Sequence, residues 1–202
     1  MPHIPFKECG MLVLILGLVL FLGTHSTRIF AEDWRGATIA RIGAMPWKGI
    51  YSVVSIVGFI ILIWGFRMAR ADTVVLWTPP VWARHVAGLL MVVSFVLLAA
   101  AYVPRNSIKA RLHHPMVLGV KVWAFAHLLA NGVAADVLLF GAFLIWALLS
   151  YRAARQRDRA AGIVYPPGNA AWTAMTVAVG LVAWSVFALF LHGPLIGVRP
   201  FG

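Results

Sequence analysis

At 202 residues, with 62% of them hydrophobic and 11% charged, the chain carries more apolar side chain than a soluble domain of its length can bury. That excludes a soluble globular enzyme and predicts an all-α bundle of helices in a membrane. The formal net charge of +11 reads as membrane orientation and contact with anionic lipid rather than nucleic-acid binding, because the basic residues gather in particular loops between apolar windows.

A helix needs about 20 apolar residues to cross a bilayer. Such windows fall near residues 9–28, 48–67, 83–103, 133–151 and 172–192, with a shorter and more polar one near 116–132. Six spans use up nearly the whole chain as a single transmembrane domain. The first window ends on Gly23-Thr24-His25-Ser26, a poor site for signal cleavage, so it is expected to stay as a span. His25 lies one helical turn before Arg28, on a face that also carries Leu14, Leu18 and Phe21. The result is an apolar wall with an imidazole near one end, which suits a planar apolar ligand and equally suits an interfacial histidine. Cys9 is the only cysteine, so neither an intrachain disulfide nor a thiolate metal cage can form.

The connection from Ala31 to Trp47 is polar and contains Glu32, Asp33 and Arg35. It reads as a loop with room for a short interfacial helix, anchored by Trp34 and Trp47. Ser52, Ser55 and Gly58 open the second span with small residues that allow close helix approach. Trp77-Thr78-Pro79-Pro80-Val81-Trp82 is a rigid turn, and His85, beside Arg84, is expected to face headgroups.

The fourth window is the unusual one. A donor-rich segment, Arg105 to His114, runs into Pro115, which fits the first turn of a helix; that helix then carries Lys121, Trp123 and His127 before a stop at Asn131-Gly132. Polar groups in hydrocarbon are costly unless something pairs with them. Trp123, His127 and Asn131 are four apart and predict one helical face, while Lys121 is long enough to reach the headgroups. With Lys121 at that level, His127 lies less than two turns deeper, and His25 and His127 approach a common depth from different spans. That arrangement suits two axial ligands of a metalloporphyrin iron; polar packing between helices and a proton route suit the same residues.

Asp136 falls near the outer end of the fifth span, Arg152 to Arg159 form a solvated basic run, and His192 ends the sixth span. The loops after the first, third and fifth spans hold most of the Lys and Arg, which puts those loops in the cytoplasm and both termini outside. Gly-rich phosphate loops, Ser/His/Asp sets and HExxH zinc motifs are lacking, which removes most hydrolase and nucleotide-dependent readings.

Several segments resemble the NnrU family of bacterial membrane proteins. They are Thr24-His25-Ser26, Gly49 to Ser55, Leu76 to Trp82, His114-Pro115-Met116 and Val120 to Gly132, the stretch from His114 to Gly132 being the most specific. The chain departs from the family pattern at Val133-Ala134-Ala135, where relatives often place an aspartate directly after Asn-Gly, and at His113, where an arginine is common. The resemblance implies an inner-membrane protein associated with denitrification, supporting nitrite and nitric oxide reduction alongside electron-transfer or denitrification proteins. It also implies kinship with the haem-b 15-cis-zeta-carotene isomerase. There the histidines matching His25 and His127 are associated with haem iron ligation; Trp123, Asn131, Lys121 and His114 would then support them. The isomerase uses a cysteine near its second histidine as an alternative ligand, whereas this chain has Ala124 and no cysteine nearby.

Two other classes stay open on sequence grounds. His114-Pro115 after a basic stretch resembles isoprenylcysteine-methyltransferase-like membrane enzymes, although paired glutamates for the cofactor are lacking. A non-catalytic assembly or transport factor would use Lys121, His127 and Asn131 only to pair helices.

Overall fold

The computed structural model describes residues 6–71 and 74–201. They are helical almost throughout; apart from helices and turns, the described residues form only isolated β-bridges. Four helices are long and apolar enough to cross a membrane, Ala44–Ala71, Val81–Tyr102, Ala134–Ala160 and the continuous stretch Ala170–Ile196, and two shorter apolar helices cover Cys9–His25 and Pro115–Ala130. Large apolar residues on these helices point outward, among them Val53, Ile60, Trp64, Leu89, Ile145 and Val182. An apolar exterior over helices that satisfy their own backbone hydrogen bonds is what lipid requires. The protein is a multi-pass helical membrane protein.

The chain falls into two compact units. The first joins Met1–Thr78 to Asn131–Ala153, and the second joins Pro79–Ala130 to Ala154–Gly202.

In the first unit, α1 (Phe6–His25), the short α2 (Thr27–Phe30) and α3 (Glu32–Ile42) lead into α4 (Ala44–Ala71). Leu14, Leu18 and Leu22 recur every four residues and form the buried stripe of α1. The two long helices meet backbone to backbone: a Cβ on Gly17 would lie 2.4 Å from the Leu62 backbone, and one on Gly65 would lie 2.3 Å from the Leu14 nitrogen. Without water to drive association, such small-residue seams bring the main chains near enough for dispersion to hold them. The expected close approach is therefore present, with Gly58 in it and Gly17 and Gly65 at its tightest points.

The far end of this unit is tied by backbone hydrogen bonds. The Gly132 carbonyl accepts from the N–H groups of Leu76 at 2.8 Å and Trp77 at 3.1 Å, and Ala134 N–H donates to Val74 at 2.9 Å. A Cβ at Gly132 would lie 1.9 Å from the Trp77 carbonyl oxygen, so only glycine fits. Helix α8 (Ala134–Ala160) starts from this tie.

In the second unit, α5 (Val81–Tyr102) packs on α7 (Pro115–Ala130) and α9 (Ala170–Val186). The buried Ser94 hydroxyl donates to the Gly119 carbonyl at 2.9 Å, joining α5 to α7, and a Cβ at Gly180 of α9 would lie 2.6 Å from Val96 of α5. Buried Asn106 caps α6 (Ser107–Leu112) through Lys109 N–H at 2.7 Å while its amide donates to the Ala100 carbonyl at 2.9 Å. A π-helical turn, Phe187–Leu191, interrupts the last span before α10 (His192–Ile196).

The four long helices lie on four of the apolar windows, with one general difference. Helices α4 and α8 run beyond their windows, to Ala71 and Ala160, because an amphipathic or charged turn can extend a helix after the apolar stretch has ended.

Candidate functional site

His25 closes α1, and its Nδ1 lies 2.7 Å from the Phe21 carbonyl one turn earlier. A carbonyl oxygen can only accept, so the Nδ1 carries the proton and the lone pair sits on Nε2. The ring is set among aromatic groups of the same unit: Phe21 at 4.3 Å between centroids, Tyr51 at 5.3 Å and Trp146 edge-on at 6.2 Å. Phe21 in turn meets Phe59 and Phe143 at 5.6 and 5.9 Å. The Trp146 indole N–H is buried with no hydrogen-bond partner, a costly state unless a further group completes it.

A cavity of about 570 Å³ opens beside His25. Arg28, Arg35, Lys48, Tyr51 and Ser52 line it with His25, so that α2, α3 and the start of α4 each contribute. Glu32 bridges two of the cations, 3.4 Å from Arg28 and 3.0 Å from Arg35. The short helix expected between the first two spans is α3, and its Trp34 meets Trp47 edge-on at 5.7 Å.

In the second unit, His127 repeats the arrangement of His25. Its Nδ1 lies 2.8 Å from the Trp123 carbonyl, again four residues earlier, and the Trp123 ring stands 5.3 Å from the imidazole. The same argument puts the proton on Nδ1 and the lone pair on Nε2. Lys121 lies half-buried in the middle of α7. Helix α7 stops at Ala130, however, so Asn131 does not continue the Trp123–His127 face; it sits in the turn before Gly132 and belongs to the first unit.

His114 has a partner of its own within the second unit. Its Nε2 lies 2.8 Å from Asp158 Oδ2, which also accepts from the Tyr165 hydroxyl at 3.1 Å. Arg155 Nη1 stands 3.8 Å from the same oxygen and donates to His113 Nδ1. Burial first, and then the bond to Asp158, raise the Tyr165 phenol above its ordinary value, which keeps it a donor. Below this cluster the backbone is strained: His113 has φ 69° and ψ −52°, and His114 N–H reaches back to the Leu112 carbonyl at 2.8 Å. That is a γ-turn of the rare positive-φ kind, with a cost of about 1–3 kcal/mol that its surroundings must offset.

A sequence profile described as NnrU protein matches residues 13–200. The chain belongs to the NnrU family. No match was found among curated proteins or among solved structures.

The remaining NnrU motif segments are explained by the fold. Leu76-Trp77 and Asn131-Gly132, distant in sequence, are the two halves of the backbone tie in the first unit. Asp136, which the sequence puts near the outer end of the fifth span, is buried at 1% exposure and meets Arg70 at 3.5 Å, with Arg70 also over the Phe66 ring. His85 is exposed, and His192 Nδ1 is engaged by the Val198 carbonyl at 2.6 Å. Sequence reasoning missed Asp158 and Tyr165. The available signal was a single acid inside the run Arg152-Ala153-Ala154-Arg155-Gln156-Arg157-Asp158-Arg159. It also took Arg28, Arg35 and Lys48 as orientation charges only, whereas the fold gathers them around one cavity.

Proposed function

We propose that this NnrU protein binds haem b with His25 and His127 as iron ligands, and that it supports nitrogen-oxide respiration in the bacterial inner membrane, with both termini on the non-cytoplasmic side. One observation carries the reading: two histidines, one in each unit, hold Nδ1 to a carbonyl four residues earlier, at 2.7 and 2.8 Å. This is how metal-ligating histidines are held, because the second hydrogen bond fixes tautomer and ring orientation and makes Nε2 more basic. The aromatic surroundings of His25 and the unpartnered Trp146 indole add to the fit with a large apolar group.

When bound, haem supplies one-electron chemistry and affinity for small nitrogen oxides. The chain's own part is positional. Phe21 and Trp123 aim the imidazoles through their carbonyls and shield them with their rings. The membrane keeps bulk water away. Ala124 is fully buried and offers no alternative ligand near His127, which favours respiration over an isomerase worked by ligand exchange.

The test is the absorption spectrum of protein purified from haem-replete cells, oxidised and reduced. A Soret band that shifts on reduction is expected, and His25→Ala or His127→Ala should abolish or displace it. A colourless wild-type protein overturns the reading.

A further inference from the structure

We infer that the outward stripe of α4 is a binding site for one phospholipid of the leaflet at the Ala71 end of the helix, with the Arg67 guanidinium on the lipid phosphate. The inference is independent of the haem reading.

Helix α4 carries two stripes of different character. Gly58, Leu62, Gly65 and Ala69 are buried and form the seam with α1. On the opposite side Ile56, Ile60, Ile63, Trp64 and Arg67 recur at helical spacing, and all are exposed. A groove of about 620 Å³ runs along this second stripe, lined by Ile60, Ile63, Trp64, Arg67 and Met68.

The size of these side chains decides what fits there. Helices associate in lipid through small residues that let the main chains approach, as they do at Gly58 and Gly65 on the seam. The outward stripe has only bulky members, which hold a second helix off but give a flexible acyl chain a ridge to follow. From Ile56 to Arg67 the helix rises about 16 Å, close to half of the ~30 Å hydrocarbon core of a bilayer. One leaflet's acyl chain is therefore matched along its whole depth.

Charge fixes which end takes the headgroup. Among the described residues lining the groove, Arg67 alone is charged, and it closes the stripe. Helix α4 contains no acidic residue along its length, and Arg70, one turn on, is turned to Asp136 at 3.5 Å. A guanidinium presents a planar fork to two phosphate oxygens, and Trp64, one turn before it, brings an indole of the kind that settles at headgroup level.

Native mass spectrometry of the full-length protein, delipidated in detergent and titrated with dioleoylphosphatidylglycerol, tests the site. Wild type should carry one tightly held lipid. Arg67→Gln should bind it about tenfold more weakly, and Arg67→Lys, which keeps the charge and loses the fork, about threefold more weakly. Arg84→Gln, which removes an exposed cation from the second unit, should leave the affinity as it was. Because Arg67 is exposed, circular dichroism without lipid should be the same for all four proteins; if Arg67→Gln fails to fold, Arg67→Lys carries the test. A wild type with no bound lipid, or unchanged affinity in the Arg67 variants, overturns the inference. So does an equal loss in Arg84→Gln, which reduces the effect to the general attraction of cations for lipid. A dimer that excludes the lipid, and that Trp64→Ala returns to monomer, assigns the stripe to a second copy of the chain and overturns it as well.

Discussion

His25 and His127 are held alike and surrounded differently. Each closes a hydrogen bond to the carbonyl four residues earlier. Around His25, however, the first unit places three aromatic rings and a cationic cavity, whereas in the second unit the Trp123 indole stands beside His127 and a charged cluster centred on Asp158 lies at the start of the same helix. The difference teaches that a helix supplies the orientation of an imidazole locally, through its own main chain, while what the imidazole serves depends on groups recruited from elsewhere in the fold.

The comparison breaks most severely if the first unit loses its helix seam. Gly65→Leu drives a side chain into the Leu14 backbone, where even a Cβ would lie 2.3 Å away. The overpacking cost is about 3 kcal/mol or more, and size-exclusion profiles should show loss of monodisperse protein. Asp158→Asn acts on a cluster of the second unit. It weakens the interactions of His114, Tyr165 and Arg155 together, and thermal unfolding in detergent should report a loss of about 1–3 kcal/mol. Tyr165→Phe removes a single 3.1 Å hydrogen bond and should cost about 1 kcal/mol. The smallest effect is in pH. Because the Tyr165 phenol is raised above its ordinary value of 10.0, its contribution is fully present below that pH and is lost as the pH rises through the higher folded value. Absorbance titration of wild type against Tyr165→Phe should show one phenol ionising late.

The long helices were legible because apolar length is a local property, and the windows near 48–67, 83–103, 133–151 and 172–192 match stretches of the four long helices to within one residue. The histidines were legible for a related reason: an imidazole inside an apolar run stands out. What escaped was pairing across distance. Arg70 and Asp136, or His114 and Asp158, are separated by long stretches of chain, and nothing in either neighbourhood announces the partner. Asn131 was placed on the helical face by spacing alone. The helix ends one residue earlier because Gly132 must lie against the Trp77 carbonyl, a constraint set by a segment more than fifty positions away. Arg28, Arg35 and Lys48 were read as orientation charges because sequence shows their number but not their convergence.

The glycine seam of α1 and α4 reaches further than its own packing. With no side chain between the strands of backbone at Gly17 and Gly65, the two rods can neither slide nor rotate against each other without collision. His25 stands about 12 Å up the same rod from Gly17, and Tyr51 and Lys48 stand on the other. The spacing between the imidazole and the groups facing it is thus calibrated by residues that never touch a ligand, as a vernier sets a reading from marks engraved elsewhere on the scale.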